Sequence, residues 1–249
     1  MKAIIIAAGQ GTRLGKYTEK LPKGLLNING KTIIKRQIEL FHKKKISDIS
    51  IIVGPHKHKF TFDNIAYIED NEYEKHDVLL SLMAAKDQIT GDVIITYSDI
   101  LYDENILQQV IDTNVEIGIV TDLNWEKKYE ERFEHPKEQA DNVIIENNQI
   151  KKIKKNISDV SKKQINGEFI GIVKFSKKGS EIFVNEFNKV EKFKPSPFHD
   201  AKTFEKSYLT DMIQELIDQK RIVNPIIIKG NWCEIDTPQD LENAKKLFC

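Results

Sequence analysis

Lys2 to Ala7 is an almost wholly apolar, isoleucine-rich run that passes directly into Ala8-Gly9-Gln10-Gly11-Thr12-Arg13-Leu14. A run with no polar alternation is what a strand buried on both faces requires, so it belongs inside a sheet covered by helices. The glycines that end it allow backbone N–H groups to approach an anion closely, and Thr12 and Arg13 add donors. Leu14 occupies the place of the third glycine of a dinucleotide fingerprint, and no Gly-Lys-Ser/Thr completes a Walker A loop. Alone, the loop is equally a glycine-rich strand-to-helix turn with solvated charges. Ten residues beyond Arg13, however, Leu21-Pro22-Lys23-Gly24-Leu25 returns a lysine. A glycine loop, an arginine and a lysine together suit a triphosphate, whose charge must be neutralised before another anion can attack it.

The rest of the first half repeats the strand–helix grammar. Helical spacing of Ile33, Ile34, Ile38 and Phe41 predicts a helix over Thr32–Lys45, and Asp48–Val53, Ile65–Ile68, Asp92–Tyr97 and Val115–Thr121 read as strands. Helices are expected after Asp77 and over Glu104–Ile111. The fold class is therefore α/β, a Rossmann-like, mainly parallel sheet flanked by helices. After Asp122 the pattern changes to a hairpin over Val143–Ile153, a strand over Phe169–Phe175, helices near Lys178–Phe187 and Thr203–Lys220, a strand over Pro225–Ile228 and a helix from Pro238. With no flexible linker between the halves, the 249 residues are expected to form one domain with a small β-rich insertion. About 1–121 would be a nucleotide-binding half and about 122–249 an acceptor-binding half.

Charge narrows the partners. Lys+Arg and Asp+Glu both number 38, which removes a general electrostatic grip on nucleic acid or anionic membrane. No apolar stretch approaches the roughly 20 residues of a spanning helix. The two cysteines, Cys233 and Cys249, form no disulfide framework or CxxC pair. These features fit a reduced, soluble, cytoplasmic protein, and they leave homo-oligomerisation open.

Gly-x-Gly-Thr-Arg-Leu followed by Pro22-Lys23-x-Leu25 resembles the nucleotidyltransferase superfamily that activates sugar phosphates and related phosphoesters. The resemblance extends to Tyr97-Ser98-Asp99, to Gly167-Glu168-Phe169-Ile170-Gly171-Ile172 and to Trp232-Cys233-Glu234-Ile235-Asp236-Thr237-Pro238. The last motif, in a chain of this length, is similar to phosphocholine and aminoethylphosphonate cytidylyltransferases. It implies transfer of a nucleotidyl group from a triphosphate, CTP foremost, to a small phosphorylated or phosphonylated acceptor. UTP or dTTP with a sugar 1-phosphate is the alternative, and a non-catalytic nucleotide-binding relative is the other. The resemblance implies nucleotide contacts at Ala7, Ala8, Gly9, Gly11, Thr12, Arg13, Lys23, Ser81 and Ser98, with Arg13 and Lys23 catalytic. It implies acceptor contacts at Glu168 and Lys174, and Mg²⁺ on Asp99 and Asp236, each closing a strand of one sheet. It also implies a role in supplying cell-surface polysaccharide. Lys75-His76-Asp77 stands where choline-type members carry paired asparagines, which argues against phosphocholine itself.

Other residues read as structural. Trp125, Tyr97 and Trp232 could wall a cationic acceptor, but core packing is the better reading of each. His56-Lys57-His58-Lys59 suits an exposed loop more than a metal site, and Cys233 a buried thiol more than a nucleophile.

Overall fold

The computed structural model describes residues 1–9, 11–157, 160–161 and 163–248. Its strands are β1 (Lys2–Ala7), β2 (Asn27–Ile28), β3 (Lys31–Thr32), β4 (Asp48–Val53), β5 (Ala66–Glu69), β6 (Val93–Tyr97), β7 (Ile100–Tyr102), β8 (Ile117–Asp122), β9 (Asp141–Glu146), β10 (Gln149–Lys155), β11 (Ile165–Phe175), β12 (Asn224–Ile227) and β13 (Trp232–Glu234). Its α-helices are α1 (Ile33–Lys43), α2 (Val78–Met83), α3 (Glu104–Asp112), α4 (Lys177–Phe193), α5 (Leu209–Asp218) and α6 (Pro238–Leu247).

Nine strands make one mixed, mostly parallel sheet. The order β10-β9-β11-β6-β1-β4-β5 forms its path, with β8 and β12 branching beyond β11. β1 lies between β4 and β6, parallel to both, as its unbroken apolar character requires. All three strands end at one edge, which places Ala8 and Ser98 side by side there; the Ser98 N–H donates to the Ile6 carbonyl at 3.1 Å. Apolar layers cover both faces. Leu79, Leu82, Phe183, Phe187, Met212 and Leu216 pack on one; Ile34, Ile38, Phe41, Ile106, Leu107 and Val110 pack on the other. Ala7 is buried within the second layer, away from the cleft.

The hairpin β9–β10 is present where the sequence places it. It pairs through β9 with the first part of β11 and extends the main sheet. β11 changes neighbours along its length, from β9 at Ile165–Glu168 to β6 at Ile172–Phe175. The helix expected over Thr203–Lys220 is shorter, because a 3₁₀ turn at Phe204–Lys206 precedes α5. The strand carrying Asp236 also departs from expectation. β13 pairs antiparallel with β7 in a two-stranded sheet of its own, so Asp99 and Asp236 do not close strands of one parallel sheet.

Candidate active site

A cleft of about 520 Å³ opens at the carboxyl edge of β1 and β6. Its lining includes Ala8, Gly9, Gly11, Thr12, Arg13, Lys23, Ser81, Ser98, Asp99 and Asp236. Gly11 sits at φ +63°, where a side chain would be strained, and its carbonyl accepts from the Thr18 hydroxyl at 2.7 Å. The chain then forms two 3₁₀ turns within Thr12–Tyr17, broken at Gly15 (φ +50°), in place of an α-helix. Gly24 lets the Lys23 segment lie against the end of β6. A Cβ there would stand 2.9 Å from Ser98 Cβ and 2.5 Å from Ile34 Cδ1.

Lys23 reaches from this segment between two carboxylates. Its Nζ donates to Asp99 Oδ2 at 2.8 Å and to Asp236 Oδ1. Burial alone would lower its pKa, but the charges of Asp99 and Asp236 outweigh burial and hold it above the ordinary lysine value. The small sheet brings the two acids together: β13 runs beside β7, and the Ile235 N–H donates to the Asp99 carbonyl at 3.0 Å. Asp236 is then fixed by the start of α6. Thr237 is the N-cap, and Asp240 accepts from the backbone N–H groups of Asp236 and Thr237 at 3.0 and 2.9 Å.

Arg13 and His135 complete the surroundings of Asp236. Arg13 Nη2 lies 2.7 Å, and His135 Nδ1 3.3 Å, from Asp236 Oδ2. Burial would raise the Asp236 pKa, but His135, Lys23 and Arg13 hold its carboxyl well below the usual carboxylate range. Oδ2 is a buried oxygen held through the ion pairs with Arg13 and His135, with no further partner. Asp99 Oδ1 is a buried oxygen with no hydrogen-bond partner. Glu234 stands beside them, and a carboxylate oxygen of Glu234, a ring nitrogen of His135 and a carboxylate oxygen of Asp236 all lie within 4.8 Å of one another. Burial, then the charges of Asp236 and Asp99, push the Glu234 carboxyl above the usual carboxylate range.

The acceptor-side expectations fare differently. Lys174 pairs with Ile94 near the start of β6, at the edge opposite Asp99. Its Nζ donates to the carbonyls of Val110, Ile111 and Thr113 at 2.9, 2.7 and 2.6 Å, tying down the end of α3. It is therefore a buried structural cation, far from an acceptor role. Glu168 lies behind the cleft, 4% exposed, and accepts from the Tyr129 hydroxyl at 2.5 Å. Its Oε2 has no partner, and it faces a chamber of about 30 Å³, room for about one water. That chamber shares Tyr97, Gln139, Asp141 and Glu234 with the cleft. Burial pushes the Glu168 pKa up to about 8, against the lowering hydrogen bond from Tyr129, and burial likewise pushes Asp141 to about 6.

Several residues in the cleft had no signal in the sequence. His135 comes from the irregular stretch between β8 and β9, pinned to α6 by Arg132, whose Nε donates to Asp240 Oδ1 at 2.6 Å. Tyr73, Glu74, His76, Asp141, Lys155, Lys206 and Tyr208 also line the cleft. Trp125 and Trp232 are buried, as packing residues should be, and the Trp232 indole N–H donates to Asp122 Oδ2 at 2.7 Å. Burial pushes the Cys233 thiol up to about 12, which leaves it without thiolate reactivity. His56 is half-buried and the Lys57–Lys59 turn beside it is largely solvated.

Residues 3–125 match the model of the MobA-like NTP transferase domain. The chain is 30% identical to a CTP:phosphoglutamine cytidylyltransferase of Campylobacter jejuni, over 97% of this chain and 98% of that protein. It is 38% identical to the choline-phosphate cytidylyltransferase of Streptococcus pneumoniae over 41% of this chain and 46% of that one. It also matches the bifunctional protein GlmU of Methanococcus aeolicus at 28% identity, spanning 53% of that longer protein. In three dimensions it is similar to the Streptococcus pneumoniae CTP:phosphocholine cytidylyltransferase, with a TM-score of 0.74, 23% identity and coverage of 100% and 99% of the two chains. That likeness establishes the nucleotide-diphospho-sugar transferase fold.

Proposed function

Because this chain belongs to the nucleotidyltransferase family that includes the CTP-dependent cytidylyltransferases, we propose that it transfers the cytidylyl group of CTP to a small phosphorylated or phosphonylated acceptor. The observation that carries this reading is the convergence of Arg13, Lys23, Asp99 and Asp236 beside the glycine loop in one cleft. An acceptor phosphate oxygen would attack the α-phosphorus in line, forming the new O–P bond while the bond to the β-phosphate oxygen breaks and pyrophosphate leaves. Such a reaction needs positioning and charge neutralisation from the protein, with no covalent intermediate. The backbone N–H groups of Gly9 and Gly11 would cradle the phosphates, with Thr12 adding a hydroxyl donor. Arg13, half-exposed at the mouth, suits the β and γ groups. Lys23 suits the α-phosphorus, since it is a compact charge already held between two acids. Ser98 would close the floor, and the half of the chain from about residue 122 would hold the acceptor through Asp141, Lys155 and Tyr208 in the cleft, with Glu168 acting from behind it.

A divalent cation fits this donor set. Asp99 Oδ1 is a buried oxygen with no hydrogen-bond partner, Asp236 Oδ2 is a buried oxygen held only through its ion pairs, and hard oxygen ligands are what Mg²⁺ takes. Asp99 and Asp236 would hold it, with Glu234 and His135 alongside. Bound there, Mg²⁺ would offset phosphate charge. Among the described residues no helix is long and apolar enough to cross a membrane. A cytoplasmic setting follows from the triphosphate substrate, and supply of activated groups to a cell-surface polymer is the role proposed for the product. A thermal-shift panel of CTP, UTP, dTTP and ATP, each with Mg²⁺, tests the reading. A true substrate stabilises by mass action, so CTP should raise the melting temperature most; equal shifts with all four would count against it.

A further inference from the structure

We propose that Ser81 selects a base bearing an exocyclic amino group, and that the buried Asp70 enforces this by fixing the direction of the Ser81 hydroxyl hydrogen. The inference rests on the nucleotidyl-transfer reading and adds to it the residues that would separate CTP from UTP. Ser81 lines the cleft, whereas Asp70 is 4% exposed behind it. Asp70 follows β5, and its backbone N–H donates to the Val53 carbonyl at 2.9 Å, which anchors it beside the end of β4. Asp99 follows β6 on the other side of β1. A triphosphate held at Lys23 and Asp99 thus leaves the β4–β5 side for its base.

Three donors converge on the Asp70 carboxylate. The Glu72 N–H and His76 Nε2 lie 3.1 and 3.2 Å from Oδ1, and the Ser81 hydroxyl donates to Oδ2 at 2.7 Å. The other ring nitrogen of His76 is 3.3 Å from the Asp77 carbonyl, so His76 is held by its own loop. A hydroxyl has one hydrogen and two lone pairs. With its hydrogen directed at Asp70, Ser81 Oγ offers the cleft lone pairs only. Cytosine presents its 4-amino group as a donor at the position where uracil presents a carbonyl acceptor. Ser81 can pair with the first, and it meets the second acceptor to acceptor. The wall is close to the glycine loop as well. A Cβ at Gly54 would stand 2.6 Å from the Ala8 carbonyl and 3.1 Å from Tyr73 Cγ, so the segment after β5 packs directly beside β1's exit.

The test is the ratio of kcat/KM for CTP to that for UTP, together with the triphosphate of pyrimidin-2-one ribonucleoside, which lacks the 4-amino group. The parent protein should prefer CTP over both by about tenfold, the order of one hydrogen bond made or left unmade. In Asp70→Asn the amide can turn its NH₂ toward Ser81 and keep its oxygen toward His76, releasing the hydroxyl hydrogen to the cleft. Its CTP:UTP ratio should fall about tenfold. Ser81→Ala should lose the preference for CTP over the pyrimidin-2-one nucleotide. Damage to the fold alone would lower all rates together and leave the ratios unchanged. If Asp70→Asn fails to fold, the parent with the pyrimidin-2-one nucleotide and Ser81→Ala decide the matter. Unchanged ratios in a protein that uses CTP would overturn the role of Ser81 and leave the functional reading standing. Absence of turnover with every triphosphate would remove both.

Discussion

Replacing Lys23 with alanine should stop turnover and also weaken the protein, and the two effects have one cause. Lys23 Nζ lies 2.8 Å from Asp99 Oδ2 and also contacts Asp236 Oδ1, with side-chain exposures of 12%, 20% and 1% for the three residues. At an effective dielectric constant of about 20, attraction over that distance is worth about 6 kcal/mol before desolvation is counted. Breaking a buried pair costs about 3–5 kcal/mol net, because an uncompensated charge remains. Arg13 and His135 still face Asp236, so the low end, about 3 kcal/mol, is expected. For a chain of this size that corresponds to a melting temperature lower by roughly 6–12 °C. Loss of one contact to a developing phosphoryl charge should lower kcat by about 10²–10³-fold. A further consequence separates this account from simple damage. With the lysine gone, Asp99 and Asp236 lose the cation they share and only Asp236 keeps Arg13 and His135, so added Mg²⁺ should restabilise Lys23→Ala more than it stabilises the parent. Differential scanning fluorimetry with and without Mg²⁺, alongside steady-state kinetics, reads all three effects. Kinetics within about threefold of the parent, or an unchanged melting temperature, would refute the reasoning.

The other predictions concern the acids and the displaced lysine. Asp99→Asn and Asp236→Asn should each abolish most activity, the double variant should be little worse than either, and excess EDTA should silence the parent; additive losses in kinetic assays would contradict a shared role. For Glu168 the ordinary carboxylate value of 4.5 rises to about 8 on folding, so between these pH values the folded state keeps a proton that the unfolded chain has lost. Stability contributed by that proton is present below about pH 4.5 and falls as pH rises toward 8; Glu168→Gln should therefore gain on the parent by on the order of 3 kcal/mol between pH 5 and 8 in urea denaturation. Lys174→Met should lose about 2 kcal/mol of stability by orphaning the carbonyls at the end of α3, yet keep kcat/KM unchanged.

The central sheet was legible because its strands carry long periods. Lys2–Ala7 and Asp48–Val53 have the predicted bounds, and α1 starts at Ile33 directly after its cap, Thr32, whose side chain accepts from Lys35 N–H. Short elements carried no such signal. β7 and β13 are three residues each, too brief for any alternation, yet their pairing helps bring Asp236 to Asp99. The motifs around Lys23, Asp99 and Asp236 identified residues that do share the cleft, although the strand geometry proposed for the two acids was different. Lys174 misled because a lysine inside an apolar strand looks the same whichever sheet edge it reaches. Here its register against Ile94 sends it to the edge away from the cleft. His135 was invisible for another reason: the stretch between β8 and β9 is held by side-chain bonds from Arg132 to Glu234 and Asp240, which leave no periodic trace.

The most direct test of the central claim is product formation by the purified parent protein. CTP, UTP, dTTP and ATP would each be mixed with Mg²⁺ and a set of phosphorylated acceptors, including amino-acid, amino-alcohol and sugar phosphates. Pyrophosphate release and the mass of the nucleotide product would be read together. The account predicts stoichiometric pyrophosphate and a CDP-linked product, with CTP and one class of acceptor. Pyrophosphate release with no linked product, a UTP- or dTTP-linked sugar as the main product, or no reaction across the whole matrix would contradict it.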